Sequence, residues 1–493
     1  MTLAPARPDT VVPVATERHR VRVADPFAAY LALRRRFGAE QVYLLESPAG
    51  PAGDTRHAYV GFGELLSVSV TGREVTVTGR PALAEAARRR AAGVDRLEEV
   101  LRVVHELFDA PGDPGDFSFG FLAFLGYDAA RHFERLPYLI ERGPRLPHAC
   151  LVLHRGLVRF DLVTGTAELL LHRSPLWPDD PADALVALLD AAAPERSGDA
   201  APAGAGDPSA AEVPMPPFVV DDDVAEADYH RTVDRCLGHI AAGDIYQVQI
   251  GHELTIRSDA DPVRVYERLR RRNPSPYMYL APLAGQTVIG ASPELFVRVE
   301  DGTATMRPIA GTAPRVGDPA RDRAVGERLS TDPKEIAEHV MLVDLCRNDI
   351  GRICRPDTLD VPETLVVERY SHVLHLVSTV SGEVSPELDT YDVLAAVFPA
   401  GTMTGAPKIR AMEIIESMEA SRRGLYAGAI GLIGTGGHVN LALCIRTVLH
   451  DGESYHTRAS AGVVADSRPE REWRETLAKL SAGYWAVTGE ELL

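Results

Sequence analysis

Strand-like and helix-like segments alternate irregularly along the chain, and no segment repeats at a period of about 20 to 50 residues. A regular alternation would predict a doubly wound parallel sheet, whereas an irregular one favours an α+β architecture. Residues 439–449 and 454–464 have the pattern of strands, and Asp451-Gly452 between them is a typical hairpin turn. Further strands are expected over residues 67–77, 150–158 and 304–309.

Two helices are predicted in the second half of the chain, over residues 333–353 and 469–487. Each begins with proline and has a glutamate in its first turn, as helix N-termini prefer. Apolar periodicity also predicts helices over residues 81–108 and 182–192. Together with the strands, these helices give the predicted α+β class.

One segment has the composition of a connector. Residues 193–217 are dense in Ala, Pro, Gly and Ser and have no apolar periodicity, which predicts a linker or long surface loop. It divides the chain into an N-terminal region over residues 1–192 and a motif-rich catalytic domain over residues 218–493.

The net charge limits the partners that the chain can bind. A formal charge of −18 argues against a nucleic-acid or anionic-membrane surface, because phosphate groups would be repelled. No window approaches the roughly 18 apolar residues that a spanning helix needs, so we expect no membrane association and a cytoplasmic location. A small anionic substrate would need a local cationic pocket or a metal ion.

Two pairs of glutamates lie on the predicted helices at a spacing of three residues. Glu335 and Glu338 form the first pair, and Glu472 and Glu475 form the second, so each pair projects from one helix face. Four converging carboxylates would suit Mg²⁺, which prefers oxygen ligands and keeps part of its water shell. The alternative is that both pairs are solvated helix faces, which is the usual role of a single E-x-x-E step.

Other motifs contain cationic, hydroxyl and imidazole groups. The run from Pro399 to Lys408 is rich in glycine and threonine, and its backbone N–H groups with Thr402 and Lys408 could hold an oxyanion. It could equally be a tight turn with a helix cap. His339, His372 and His375 are candidates for acid or base chemistry, although a single histidine is more often structural.

Taken together, several long strings resemble the chorismate-binding enzymes, in the order of that family and from about Tyr229 to the C-terminus. The strings are RPIAGTAPR, EHVMLVDLCRNDIGR, SHVLHLVSTVSG, FPAGTMTGAPKIRAMEII and AGVVADSRPEREWRETLAK. The resemblance implies an α+β fold of two large packed β-sheets with helices outside, and a Mg²⁺-bound chorismate between the sheets.

The resemblance also implies roles for individual residues. Glu338 and Glu475 match the principal metal ligands, with Glu335 and Glu472 beside them, and Glu294 matches the general acid that protonates the departing 4-hydroxyl. His375 matches the histidine implicated in a later pyruvate elimination. The implied substrate pocket consists of Ala310, Gly311, Thr312, Thr402, Tyr426, Arg446, Ala461, Gly462 and Lys479, with Gln247 and Lys408 as further catalytic candidates.

Two positions indicate which nucleophile is added. Gln247 stands where isochorismate synthases carry a water-activating lysine, and Ala310 stands where 4-amino-4-deoxychorismate synthases typically carry a nucleophilic lysine. The resemblance therefore implies addition of ammonia at ring position 2, with 2-amino-2-deoxyisochorismate as the immediate product. The chain lacks a G-x-C-x-G nucleophile motif, so a separate glutaminase subunit is the implied ammonia source.

Three functions stay open on the sequence. The favoured one is release of 2-amino-2-deoxyisochorismate in a specialised, antibiotic-type pathway, because Val248-Gln249-Ile250 and Arg458-Ala459-Ser460 depart from the usual anthranilate synthase motifs around the pocket. The second is an anthranilate synthase component I that eliminates pyruvate. The third, of another class, is a catalytically silent regulatory subunit.

Two further segments resemble the tryptophan feedback site of the anthranilate synthases. The matching residues are Glu46, Ser47, Pro276, Tyr277 and Met278. Tryptophan is therefore an expected inhibitor, and the alternative is that both segments are core strand and turn.

Overall fold

The structure is a computed structural model that describes residues 11–51, 53–141, 145–193, 215–370 and 373–493. His372 and most of the predicted linker, residues 194–214, lie outside the described residues, so the division into two regions stays a prediction. None of the helices in the described part of the chain is long and apolar enough to cross a membrane.

The helices within the described ranges are α1 (Pro26–Phe37), α2 (Pro81–Ala91), α3 (Leu97–His105), α4 (Ala130–Phe133), α5 (Ala182–Ala191), α6 (Glu226–Ala241), α7 (Pro262–Arg272), α8 (Pro319–Leu329), α9 (Pro333–Gly351), α10 (Thr390–Val397), α11 (Lys408–Met418) and α12 (Pro469–Thr488).

The strands are β1 (Val12–Pro13), β2 (Ala15–Val21), β3 (Val42–Glu46), β4 (His57–Thr71), β5 (Glu74–Gly79), β6 (Phe108–Asp109), β7 (Gly120–Leu125), β8 (Ala149–Asp161), β9 (Thr166–Arg173), β10 (Phe218–Asp222), β11 (Gln247–Ser258), β12 (Tyr277–Leu283), β13 (Gln286–Ser292), β14 (Leu295–Glu300), β15 (Thr303–Met306), β16 (Ile309–Pro314), β17 (Asp360–Arg369), β18 (Val373–Glu383), β19 (Gly405–Ala406), β20 (Ala429–Gly434), β21 (Val439–Leu443), β22 (Thr447–His450) and β23 (Ser454–Val463).

Hydrogen bonds link 21 of these strands, and β1 and β6 form a separate parallel pair. Pairing of β3 with β12 and of β7 with β20 joins the N-terminal strands to the C-terminal ones. Because of these two pairings the strands form one connected sheet, whereas the resemblance implies two. The predicted α+β class is confirmed.

The core lies on both faces of the sheet. Along β7, Phe121 and Ala123 pack into an apolar cluster with α2, α3, α9 and α10, while Leu122 and Phe124 face a second cluster with strands β12, β13 and β20 to β22. Successive side chains of a strand point to opposite faces, so a strand buried on both sides needs this unbroken apolar run.

Three predicted elements are each divided by a turn. Residues 67–77 form parts of β4 and β5 with a turn at Gly72, and residues 81–108 form α2, α3 and β6 with an interruption at Gly93. Both glycines have positive φ, which apolar periodicity does not reveal. Residues 439–449 form β21 and β22, and Arg446 between them has a φ of 49°. The predicted hairpin of β22 and β23 is confirmed.

Candidate active site

Two helices bring the four predicted metal-binding glutamates to one region. Glu335 and Glu338 lie on α9, which packs against β16 and β18, and Glu472 and Glu475 lie on α12, which packs against β23. Burial raises the pKa of Glu335, Glu338 and Glu472, and the negative charge of Glu475 raises each further. The carboxylates of the two helices therefore repel one another across a shared space.

A lysine partly offsets this negative charge. The Nζ atom of Lys479 lies 2.7 Å from Oε1 of Glu475 and donates to the carbonyl of Ser460 at 2.9 Å. Although burial lowers the pKa of Lys479, the neighbouring Glu475 carboxylate raises it, and the net shift is upward. Lys479 therefore stays charged beside the glutamates and next to β23.

The donor set fits Mg²⁺ in its chemistry, since all four groups are carboxylates and the ion would relieve their repulsion. Within the described ranges, however, only Asp222, Asp223 and His252 bring three potential ligand atoms within 4.8 Å of one another. These three groups are already hydrogen-bonded: His252 contacts Asp222 and Thr476 at 2.8 Å each, and Asp223 accepts from the Glu253 N–H at 2.7 Å. That cluster is a structural network.

Glu294 lies in the turn between β13 and β14 and is 7% exposed. Burial raises its pKa to about 8, even though a hydrogen bond from Thr402 and the charges of Lys479 and Arg446 act in the opposite direction. Thr402 donates to Oε1 at 3.2 Å. A carboxyl group with this pKa is mostly protonated at neutral pH and can give a proton to a leaving group.

Arg446 interrupts the sheet between β21 and β22 with its positive φ. Burial lowers its pKa, and Glu294 and Tyr370 raise it, so Glu294 exerts the largest opposing electrostatic effect on the guanidinium. Because Glu294 is mostly neutral near pH 7, the positive charge of Arg446 remains available to a bound carboxylate.

Strand β16 carries Ala310, Gly311 and Thr312 past the glutamates. Gly311 has a φ of 64°, and a Cβ atom at this position would lie 3.1 Å from Oε2 of Glu335. Nδ1 of His375 lies 3.2 Å from the Gly311 carbonyl and 3.1 Å from Oγ1 of Thr312. Ala310 is buried and has no amine to offer as a nucleophile.

The tautomer of His375 follows from these contacts. A carbonyl oxygen only accepts hydrogen bonds, so Nδ1 carries the proton and Nε2 has the lone pair. Nε2 has no hydrogen-bond partner within the part of the chain described. Burial, followed by the positive charge of Arg446, lowers the pKa of His375 to about 4. The ring is therefore neutral at physiological pH and presents a free base.

The glycine-rich motif forms a turn that rests on the start of β11. Gly405 has a φ of 141°, and a Cβ there would lie 2.1 Å from the Gln247 carbonyl, so only glycine fits. The amine of Lys408 is engaged within the protein instead of facing an oxyanion. Its Nζ pairs with Asp349 of α9 at 2.7 Å and donates to the Val397 carbonyl at 3.3 Å. This ion pair connects α11 to the helix that carries Glu335 and Glu338.

Strands β11 and β23 pair with each other and carry three more of the predicted site residues, Gln247, Ala461 and Gly462. Gln247 is 1% exposed, and neither atom of its amide has a partner among the described residues. Ala461 is fully buried, and a Cβ on the adjacent Gly462 would lie 2.8 Å from Nε2 of Gln247. Tyr426 reaches β23 through Ser460, with 2.5 Å between the two hydroxyl oxygens.

The five residues predicted to bind tryptophan lie elsewhere. Glu46, Ser47, Tyr277 and Met278 line a cavity of about 330 Å³, whereas Pro276 lies against Gly50. Glu46 is held by Tyr266 at 2.5 Å and by Arg270 at 2.6 Å, so its carboxylate is already occupied.

The sequence of the chain matches the chorismate binding enzyme family over residues 40–483. The chain belongs to the chorismate-binding enzymes. A 2-amino-4-deoxychorismate synthase of Streptomyces globisporus is 58% identical over 98% of both chains. An anthranilate synthase component 1 of Streptomyces coelicolor is 40% identical, over 99% of this chain and 91% of its own.

The fold has a counterpart among solved structures. The crystal structure of anthranilate synthase component I from Streptococcus pneumoniae TIGR4 has a TM-score of 0.69 and 28% identity, and the match covers 87% of this chain and 92% of that one. The predictions of a chorismate-binding family member and of an enzyme are confirmed. Several predicted site residues interact electrostatically, with Lys479 near Glu294 and Glu338 and with Arg446 near Glu294 and His375.

Some residues near the site were not predicted. Asp349 pairs with Lys408, and Gln249 contacts Ser460. The only sequence signal for the second contact was the departure from the usual motif at residues 248–250 and 458–460. Asp349 gave no signal, since it lies within a helix among other acidic residues.

Proposed function

We propose that this chain catalyses the Mg²⁺-dependent amination of chorismate at ring position 2 with ammonia and releases 2-amino-2-deoxyisochorismate. The observation that carries the proposal is Glu294, a buried acid whose pKa of about 8 keeps it protonated beside two cations. Such an acid can deliver a proton to a departing hydroxyl at neutral pH. In this reaction the N–C2 bond forms, the ring double bonds shift, and the C4–O bond breaks as water leaves.

Binding of chorismate requires neutralisation of two carboxylates. Arg446 would pair with one of them, and backbone N–H groups near Ala461 and Gly462 would add donors. Glu338 and Glu475, with Glu335 and Glu472 beside them, would hold Mg²⁺. When bound, the ion supplies positive charge for the other carboxylate and removes the repulsion among the glutamates.

The choice of ammonia rests on two side chains. Gln247 has an amide that cannot take a proton from water, and Ala310 cannot form a covalent adduct with the ring. We propose that a separate glutaminase subunit supplies ammonia in the cytoplasm. Retention of the glutamates, Glu294 and Arg446 speaks against the silent regulatory subunit.

The identity of the product is supported by the relatives. The name of the Streptomyces globisporus relative describes an amino group at ring position 2 and loss of the 4-hydroxyl, which is the constitution of 2-amino-2-deoxyisochorismate. The relatives called anthranilate synthase component 1 have lower identity, such as the 40% of the Streptomyces coelicolor protein.

Anthranilate formation is the second candidate function. It is favoured by one observation, the neutral His375 whose Nε2 has no partner within the described residues and could accept the ring proton during loss of pyruvate.

A product assay separates the two functions. The purified chain is incubated with chorismate, Mg²⁺ and an ammonium salt at mildly alkaline pH, and products are resolved by mass spectrometry while anthranilate fluorescence is followed. We expect a non-fluorescent amino product that keeps its enolpyruvyl group. Anthranilate with pyruvate would establish the second function instead. Unreacted chorismate, both with the ammonium salt and with glutamine and an active glutaminase subunit in its place, would contradict both.

Tryptophan is the proposed ligand of the cavity of about 330 Å³ that Glu46, Ser47, Tyr277 and Met278 line. Arg298 Nε, His438 Nδ1 and Asn440 Oδ1 at this cavity have no hydrogen-bond partner among the described residues, which supports a polar ligand there. We expect millimolar L-tryptophan to raise the melting temperature, because a ligand at 100 times its Kd adds about 2.7 kcal/mol to stability. D-tryptophan serves as the control, and an unchanged melting temperature with the L-enantiomer would rule out a feedback site.

A further inference from the structure

Ser460 lies fully buried in the middle of β23, directly opposite Gly251 of β11. A Cβ atom on Gly251 would lie 2.2 Å from the Ala459 carbonyl oxygen and 2.9 Å from the Cβ of Ser460. Only glycine therefore fits at residue 251 in this pairing. The Ser460 side chain occupies part of the space that a side chain at residue 251 would need.

Every polar group of Ser460 is engaged in the site. Its N–H donates to the Tyr426 hydroxyl at 2.9 Å, and its carbonyl accepts from Lys479 at 2.9 Å. Its hydroxyl lies 2.5 Å from the Tyr426 hydroxyl and donates to Oε1 of Gln249 at 3.2 Å.

These contacts fix the positions of the protons. The carboxamide oxygen of Gln249 only accepts, so the serine proton goes to Gln249. The contact of 2.5 Å between the two hydroxyl groups must then contain the phenolic proton of Tyr426, donated to Ser460. Tyr426 thus donates its only proton to Ser460, and only the lone pairs of its phenolic oxygen remain for other partners.

We propose that Ser460 is a positioning residue that converts Tyr426 from a hydrogen-bond donor into an acceptor toward the bound substrate. The inference rests on the proposed function, because it assumes that chorismate binds beside Tyr426 and Lys479. An acceptor does not stabilise a substrate carboxylate, so this role falls to Arg446. Ser460 thereby weakens the binding of the substrate and changes which carboxylate contacts the pocket offers.

The test is a double-mutant cycle on chorismate affinity, measured by calorimetry with Mg²⁺ and without ammonia. In Ser460→Ala the backbone N–H of residue 460 still holds the phenol, but the phenolic proton is free to reach a carboxylate. A hydrogen bond to a charged group contributes about tenfold or more in affinity, where tenfold corresponds to roughly 1.4 kcal/mol. We expect Ser460→Ala to lower the Kd of chorismate by about tenfold.

Tyr426→Phe completes the cycle. We expect it to cancel the gain in the Ser460→Ala background and to change the Kd much less in the native background, where no donor to the substrate is lost. A merely structural role of Ser460 would not produce this dependence. Ser454→Ala is the matched control, since Ser454 is buried at the start of the same strand, about 20 Å away.

The possible failures are distinguishable. Equal effects of Tyr426→Phe in both backgrounds, or an unchanged Kd in Ser460→Ala, would overturn the inference alone. No binding of chorismate by the native chain would overturn the proposed function and the inference with it. Should Ser460→Ala fail to fold, Ser460→Gly removes the same hydroxyl and is subject to the same expectations.

Discussion

The double substitution Glu338→Gln and Glu475→Gln is expected to lower kcat/KM for chorismate amination by at least about a thousandfold. A thousandfold loss corresponds to about 4 kcal/mol, in the range of the charge stabilisation that a catalytic metal ion supplies. Glutamine keeps the shape of each side chain but removes the negative charge that is proposed to hold Mg²⁺.

The same variant should show a second, independent effect on stability. Burial and neighbouring charge raise the pKa of Glu335, Glu338 and Glu472 in the folded state. For an acid with a raised pKa, stability is lost as pH rises above the pKa of the unfolded chain. We therefore expect the metal-free variant to melt at a higher temperature than the metal-free native protein at neutral pH, and to lose the rise that Mg²⁺ gives the native protein.

Glu470→Gln is the control for both measurements. Glu470 lies exposed in the first turn of α12, on the same helix as Glu475. Its substitution by glutamine is the same chemical change at a residue outside the proposed site. Unchanged turnover in the double variant would contradict the metal assignment, and an unchanged response of the melting temperature to Mg²⁺ would do so without any assay of activity.

The sequence predicts helices α9 and α12 well because their signals are local. Proline and glutamate in the first turn define the start of α9 and of α12, and the spacing of three residues places Glu335 beside Glu338. That α9 and α12 bring their carboxylates into one region depends on the packing of α9 on β18 and of α12 on β23. The two helices are more than 100 positions apart in the sequence, so no local pattern contains their approach.

Other features of the site are invisible to local patterns for the same reason. Lys408 belongs to a motif that suggests oxyanion binding, yet its partner is a helix residue 59 positions away, Asp349. The raised pKa of Glu294 comes from burial in the folded chain, which the residues beside it in the sequence do not reveal. That Ser460 lies opposite Gly251 is visible only once the register of β11 and β23 is known.

Glu294→Gln is expected to lower kcat by about a thousandfold, because a glutamine amide cannot donate the proton that the departing hydroxyl requires. General acid catalysis contributes roughly a hundredfold to ten-thousandfold, and a poor leaving group such as hydroxide places the loss in the upper part of that range. The measurement is the steady-state rate at saturating chorismate and Mg²⁺, with the concentration of free ammonia held constant by adjusting the ammonium salt at each pH.

The pH profile distinguishes an acid from a structural side chain. If Glu294 is the proposed acid, its protonated form is the active one; because its pKa is about 8, kcat of the native protein should then be constant below pH 8 and fall as pH rises through it. The residual rate of Glu294→Gln should not show this fall. The raised pKa also means that the native fold loses stability between pH 4.5 and 8 and that the glutamine variant is spared this loss.

Two variants of Thr402 test whether Glu294 causes the fall of kcat above pH 8, which is the alkaline limb of the pH profile. Its hydroxyl donates to the carboxyl oxygen at 3.2 Å and lowers the pKa of Glu294 against the effect of burial. Thr402→Val removes the donor and should move the limb to higher pH, while Thr402→Ser keeps the donor and should leave the limb in place. A limb that stays at the same pH in both variants would mean that another group titrates, and Glu294 would then not be the acid.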